Sequence, residues 1–285
     1  MDRRIKMIIK FINTFLLLII AFIQLSFAQI NLERPNKAYG IFSAKVTISE
    51  NARYLFEYQI TNADSSEQVL SGFDLLVEDQ SFYDENIDIP SPATKKWYID
   101  GSNKGYVSGA AASRFINFPP ENGLAPGESI SISFPSRGLP AIMPFYTQGF
   151  VRPITMTEFD SLKEAGFTDN EIFLDWKEES HQGITIAPKV WPDEINLINF
   201  LDTLINYQTQ SCELGWISNP GICRSLQANL DNVKRQLEQG RTQTAINNVQ
   251  AFLNELEAIR EQQLFPEAYA LLKFNGEYLL EQLQQ

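Results

Sequence analysis

Between positions 38 and 150, apolar and polar residues alternate in short runs. Tyr54, Phe56, Tyr58 and Ile60 fall on one side of an extended strand, with Glu57 and Gln59 on the other. From Ser129 to Phe134 the chain reads Ser-Ile-Ser-Ile-Ser-Phe without a break. A period of two with one apolar side marks half-buried strands of an antiparallel sheet. The same pattern predicts strands over 40–48, 69–77, 96–99 and 113–118. Turn-forming residues fill the gaps at 62–66, 100–103, 119–123 and 125–128. Short strands at this spacing, with no helical stretch between them, predict an immunoglobulin-like β-sandwich over residues 29–152. The inward sides of two sheets would then form its core.

Residues 153–190 read as a connecting segment with short helices. A helix is predicted over 157–166, with Thr157 as N-cap and Gly166 as its stop, and a second helical piece over 169–179. Residues 183–188 form either an extended linker or a last strand. From Trp191 the period becomes helical. Pro192 suits a first helical position, and Ile195, Ile198, Leu201, Leu204 and Ile205 share one side of helix one. Leu226, Leu230, Val233 and Leu237 line helix two, which Gly240 ends. Ala245, Val249, Phe252, Leu256 and Ile259 line helix three. Pro266 opens helix four, anchored by Leu272, Leu279 and Leu283. These stripes predict an all-α antiparallel bundle over 191–285 that folds as a separate region.

The first 28 residues change the picture of where the chain works. A basic start with Arg3, Arg4, Lys6 and Lys10 precedes the apolar run from Phe15 to Ile23, and Ser26-Phe27-Ala28 places small residues at the −3 and −1 positions. That is the layout of a signal peptide cleaved before Gln29, which predicts a periplasmic or extracellular protein with no stable membrane insertion. The same stretch kept uncleaved would be an anchor, but Asn13, Thr14, Gln24 and Ser26 shorten it for that purpose. The chain carries a formal charge of −12, and removing the leader's net +3 leaves −15. Such a surplus repels nucleic-acid phosphates and anionic lipid headgroups, so neither is an expected partner.

Candidate chemistry is sparse. His181 is the chain's one histidine, and it sits in the polar stretch Glu178-Glu179-Ser180-His181-Gln182, which reads as solvated surface rather than as a catalytic base. Gly105-Tyr106-Val107-Ser108-Gly109 lacks the Gly-x-Ser-x-Gly order of a nucleophile elbow and reads as a turn in the sandwich. Cys212, Cys223 and His181 are too few and too scattered for a zinc site, so no metal or other cofactor is expected. Glu78-Asp79 and Asp84-Glu85-Asn86 offer hard oxygen ligands, without the loop pattern of a calcium site. Asp74 with Asp84-Glu85 is one of many acid pairs a hydrolase would need, and no pairing stands out. Cys212 and Cys223, the two cysteines of the chain, flank the turn between helices one and two. In an oxidising compartment they are expected to pair as a structural disulfide.

Aromatic residues cluster in the middle of the sandwich sequence: Phe82, Tyr83, Trp97, Tyr98 and Tyr106. Trp97, Tyr98 and Tyr106 are the candidates for stacking on a sugar, and core packing is the competing reading of the same rings. The C-terminal part resembles the FIMAH domain, a helical module of secreted bacterial proteins. The resemblance rests on Gly215-Trp216-Ile217, Gly221-Ile222, Ser225-Leu226, Leu230, Leu237, Gly240, the run from Ala251 to Ala258 and Glu267-Ala268-Tyr269. The family's usual downstream histidine is absent, with Gln262-Gln263-Leu264 in its place. The resemblance implies an accessory module and carries no activity. Together these features predict a non-catalytic exported protein acting through surface binding, adhesion or assembly, with a surface protein or a polysaccharide as partner. The alternatives are a carbohydrate-binding module protein and, least favoured, a carboxylate-based hydrolase.

Overall fold

A computed structural model describes residues 36–49, 54–78, 97–101, 105–111, 122–150, 155–168, 179–192 and 194–285. The leader, the strand expected over 113–118, Phe82, Tyr83, the acids at 79 and 84–86, and nearly all of the second helical piece lie outside these residues. The described chain is a β-sandwich followed by four helices.

Among the described residues eight strands build two antiparallel sheets: β1 Gly40–Ile48, β2 Tyr54–Asn62, β3 Leu70–Leu76, β4 Tyr98–Asp100, β5 Tyr106–Ala110, β6 Ser129–Ser136, β7 Leu139–Gly149 and β8 His181–Lys189. The three-stranded sheet has the order β1-β2-β6 and the five-stranded sheet β4-β5-β3-β7-β8. β1-β2-β6 and β3-β7-β8 take the places of strands A-B-E and C-F-G in an immunoglobulin-type sandwich, and β5 and β4 widen the second sheet. The alternation that predicted β2 is the alternation of burial: Tyr54, Phe56, Tyr58 and Ile60 are all buried. Phe42 of β1 stacks on Phe145 of β7 with ring centroids 4.2 Å apart, joining the two sheets. Tyr58 donates its buried hydroxyl to the Ile186 carbonyl at 3.0 Å, which adds a polar tie across the core.

Three segments depart from the sequence expectations. Only Gly105 of the stretch 105–109 lies in a turn, since Tyr106–Ala110 is strand β5. Gly109 is required there by close packing, because a Cβ at that position would lie 2.1 Å from Phe73 Cε1. Residues 181–189, inside the expected connection, form β8 and pair with β7 along its length. β7 itself carries Pro140 and Pro144, although it lies between two neighbours. Pro140 faces Pro188 across the β7–β8 pair, and its carbonyl accepts a hydrogen bond from Asn275 Nδ2 at 2.8 Å. The backbone polar groups of Pro140 thus face away from β8, so its missing N–H removes no bond from that ladder.

Residues 155–168 belong to a separate compact unit. Its described helix is α1, Met156–Glu164, with Thr155 rather than Thr157 as N-cap and Glu158 closing a capping box.

The bundle consists of α2 Leu197–Glu213, α3 Pro220–Glu238, α4 Thr242–Gln263 and α5 Pro266–Leu283. The predicted stripes are its core: Leu201, Leu204, Leu226, Leu230, Val233, Val249, Phe252, Leu256, Leu272 and Leu279 are fully or almost fully buried. Helix one starts later than expected, with Asn196 as N-cap and Pro192 outside it. An ionic cluster holds α4 to α5. Tyr269 donates to Glu257 at 2.8 Å, Lys273 pairs with Glu257, and the Arg260 guanidinium lies 4.4 Å from the Tyr269 ring centroid. The hydrogen bond from Lys273, joined by that from Tyr269, lowers the Glu257 pKa. A carboxylate with a lowered folded-state pKa adds stability above its unfolded value, and that stability fades as pH falls through the folded value. The melting temperature should therefore drop from pH 5 toward pH 3 less in Glu257→Gln than in the parent. The difference should stay below about 1 kcal/mol because Glu257 is largely solvated; parallel thermal melts across that range check it.

The sandwich and the bundle fall in one compact unit, residues 36–153 with 176–285. Helix α5 is the shared element. Its Glu267, 4 % exposed, accepts the Ala44 N–H of edge strand β1 at 2.7 Å. Phe274 packs on Tyr54 of β2 with centroids 4.9 Å apart, and Asn275 reaches β7. The opposite side of α5 faces the bundle: a Cβ on Gly276 would lie 2.9 Å from Leu253 Cδ2. A carboxylate covering the open edge of β1 satisfies a backbone donor that would otherwise be left for another strand.

Candidate functional site

Two places carry the residues singled out in the sequence: the outer side of the five-stranded sheet and the turn between α2 and α3. Strand register sets the first. Val107, Phe73, Leu75 and Phe145 point into the core, so their alternates point outward. Asp100, Ser108, Asp74, Tyr146 and Gln182 stand opposite one another in a polar row across all five strands. Ser108 donates to Asp74 Oδ1 at 2.5 Å within that row. Tyr98 lies in the next outward row, opposite Ala110, and Tyr106 lies opposite Leu76.

The three candidate aromatics separate on this framework. Trp97 is a core residue, 2 % exposed, stacked on Phe73 at 5.8 Å with its indole N–H donated to the Asn122 carbonyl. It presents no ring to solvent. Tyr98 is 71 % exposed on edge strand β4. Tyr106 shares the outer side and is half-buried. Tyr146, which the sequence reading did not single out, is also outward, in the polar row. Its signal was hidden by Pro140 and Pro144, which precede it in β7.

His181 opens β8 and meets Tyr39 edge-on at 5.4 Å, and partial burial lowers its pKa. It is a strand residue rather than part of a polar linker. Its ring contact is with an aromatic, and β8 places it opposite Thr147. Among the described residues no group of three or more His, Cys, Asp or Glu side chains is arranged to hold a metal ion.

At the second place Cys212 and Cys223 form a disulfide with Cα atoms 6.1 Å apart. It ties the last turn of α2 to the first turn of α3. The turn between them uses Gly215 at φ +73° and is stitched to the α4–α5 junction, where Phe265 donates its N–H to the Trp216 carbonyl at 2.9 Å. Gln208, buried behind the bridge, donates to Cys212 Sγ at 3.2 Å and to the Cys223 carbonyl at 3.0 Å.

The FIMAH domain family matches residues 201–281, the segment from within α2 to near the end of α5. That match confirms the resemblance read from Gly215-Trp216-Ile217 and the Ala251–Ala258 run, and it leaves the sandwich outside the matched residues. No curated protein matches the chain. The FIMAH domain suggests an exported, extracellular surface or adhesion-type protein and a non-catalytic domain. The disulfide fits an oxidising compartment. Among the described residues no helix is long and apolar enough to cross a membrane.

Proposed function

We propose that this is an exported, non-catalytic protein, released by cleavage before Gln29, that works through surface binding, adhesion or assembly. The observation that carries this reading is the FIMAH domain at residues 201–281 packed onto the sandwich through α5. Packing of this kind gives the sandwich a rigid support and leaves the outer side of the five-stranded sheet as the surface for a partner. The excess negative charge turns such a protein away from nucleic acid and anionic lipid, toward a surface protein or a polysaccharide.

A second reading, carbohydrate binding, is favoured by one observation. Tyr98 is exposed beside the polar row of Asp100, Ser108 and Asp74. A ring to stack on and carboxylate or hydroxyl groups to hydrogen-bond hydroxyls are the two things a sugar needs from a protein surface.

Fluorescently labelled protein starting at Gln29 should bind saturably to the surface of producing cells from which the gene has been removed. Absence of saturable binding would remove the proposal. Tyr98→Ala separates the two readings. A large drop in binding, with competition by the cells' isolated polysaccharide, supports the sugar. Unchanged binding supports a protein partner.

A further inference from the structure

The disulfide joins two unlike helix ends. Cys212 lies in the last turn of α2, among carbonyls that form the negative end of the helix dipole. Cys223 lies in the first turn of α3, where backbone N–H groups and the positive end favour an anion. Arg224 follows Cys223, is exposed, and makes no ion pair among the described residues. Both cysteines are half-buried and line a solvent-open cavity of about 530 Å³ with Gly215, Ile217, Pro220 and Arg224. A small thiol therefore has access to the bridge without unfolding of the bundle.

We propose that the Cys212–Cys223 bridge is a thiol-exchange site of fixed polarity, in which an incoming thiolate bonds to Cys212 and Cys223 leaves. In the first step the thiolate R–S⁻ attacks Cys212 Sγ. The new bond between the R sulfur and Cys212 Sγ forms as the Sγ–Sγ bond breaks, and the electron pair of the broken bond stays on Cys223 Sγ as thiolate. A disulfide is exchanged for a mixed disulfide, with no net change in oxidation. A second thiol, deprotonated, then attacks the R sulfur, releases Cys212 as thiolate and completes a two-electron reduction of the protein with oxidation of two thiols to a disulfide. The leaving sulfur is the one whose anion is better stabilised, because a better leaving thiolate departs faster. The helix end selects Cys223 for that role, and Arg224, the next residue, adds a positive charge on the wall of the same cavity. Two neutral groups work the other way: the Gln208 amide N–H favours charge on Cys212, and the Ile217 carbonyl oxygen, 3.9 Å from Cys223 Sγ, disfavours charge there. Both are neutral dipoles, set against a helix terminus and a full positive charge on the same cavity wall.

The partner class is a small thiol or the exposed thiol of a dithiol oxidoreductase in the compartment the protein enters. Reduced glutathione is the probe. Folded, oxidised protein starting at Gln29 is exposed to glutathione without denaturant, quenched with N-ethylmaleimide, digested and mapped by mass spectrometry. The expected product carries glutathione on Cys212 and maleimide on Cys223, in about fivefold excess over the reverse. Arg224→Ala, at an exposed position, should bring that ratio roughly two- to threefold closer to parity, while Arg224→Lys keeps it. Equal labelling of both cysteines in the parent, predominant glutathione on Cys223, or no adduct until the protein is denatured would overturn the proposal.

Discussion

Phe274→Ala should destabilise the sandwich and the bundle together, by about 3–5 kcal/mol. Phe274 is 4 % exposed and its ring lies 4.9 Å from that of Tyr54, itself 4 % exposed on β2. Truncation removes the ring contact and leaves a cavity between two elements that cannot both collapse into it. α5 is pinned on one side by Glu267 and Asn275 to the strands and on the other by Gly276 and Leu272 to the bundle. The loss therefore cannot stay on one side. Urea unfolding followed by far-ultraviolet circular dichroism at 222 nm, which reports mainly the helices, and by hydrogen-exchange mass spectrometry of peptides from β1 and β2, which reports the sandwich, should show both midpoints falling by the same amount. A shift in the helical signal alone would mean that the ring supports the bundle and not the junction.

Removing the bridge should have the second largest effect. Cys212→Ala with Cys223→Ala opens a link across a sequence separation of 11, which the chain-entropy account values at about 3 kcal/mol. The native turn keeps other supports, namely Gly215 in its left-handed conformation, the Asn219 cap and the Trp216–Phe265 backbone bond. The folded state should survive with a lowered melting point, and the parent should fall to the same value in reductant. Equal melting points in the parent, the double variant and the reduced parent would show that the link constrains nothing the turn does not already constrain.

The parts of the fold that were legible in the sequence are those whose side chains answer to one environment. β1, β2 and β6 have a wet side and a dry side, so burial writes a period of two into them. The four helices of the bundle have the same simplicity at period 3.6, and the pairing of the cysteines followed from their count and compartment. β5 was hidden because its inward position at 109 must be glycine to admit Phe73, and glycine reads as a turn. β7 was hidden because Pro140 and Pro144 argue against a central strand, and only the tertiary fold shows that Pro140 turns its backbone polar groups away from β8. The junction was not legible at all. Glu267 looks like a first-turn acid serving its own helix and Asn275 like a surface amide, and their partners Ala44 and Pro140 are 223 and 135 residues away. Of the candidate aromatics, neighbouring Trp97 and Tyr98 have the same composition signal, yet the first plugs the core and the second faces solvent. Strand alternation separates them only once the strand is known to start at Tyr98.

Helix α5 belongs to both cores and makes the helical bundle and the sandwich one folded body. Differential scanning calorimetry of the protein starting at Gln29 tests it most directly. The body formed by the sandwich and the bundle should give one cooperative transition whose calorimetric enthalpy equals its van't Hoff enthalpy. Two resolved transitions, with the helical signal lost in one and the sandwich signal lost in the other, would contradict it.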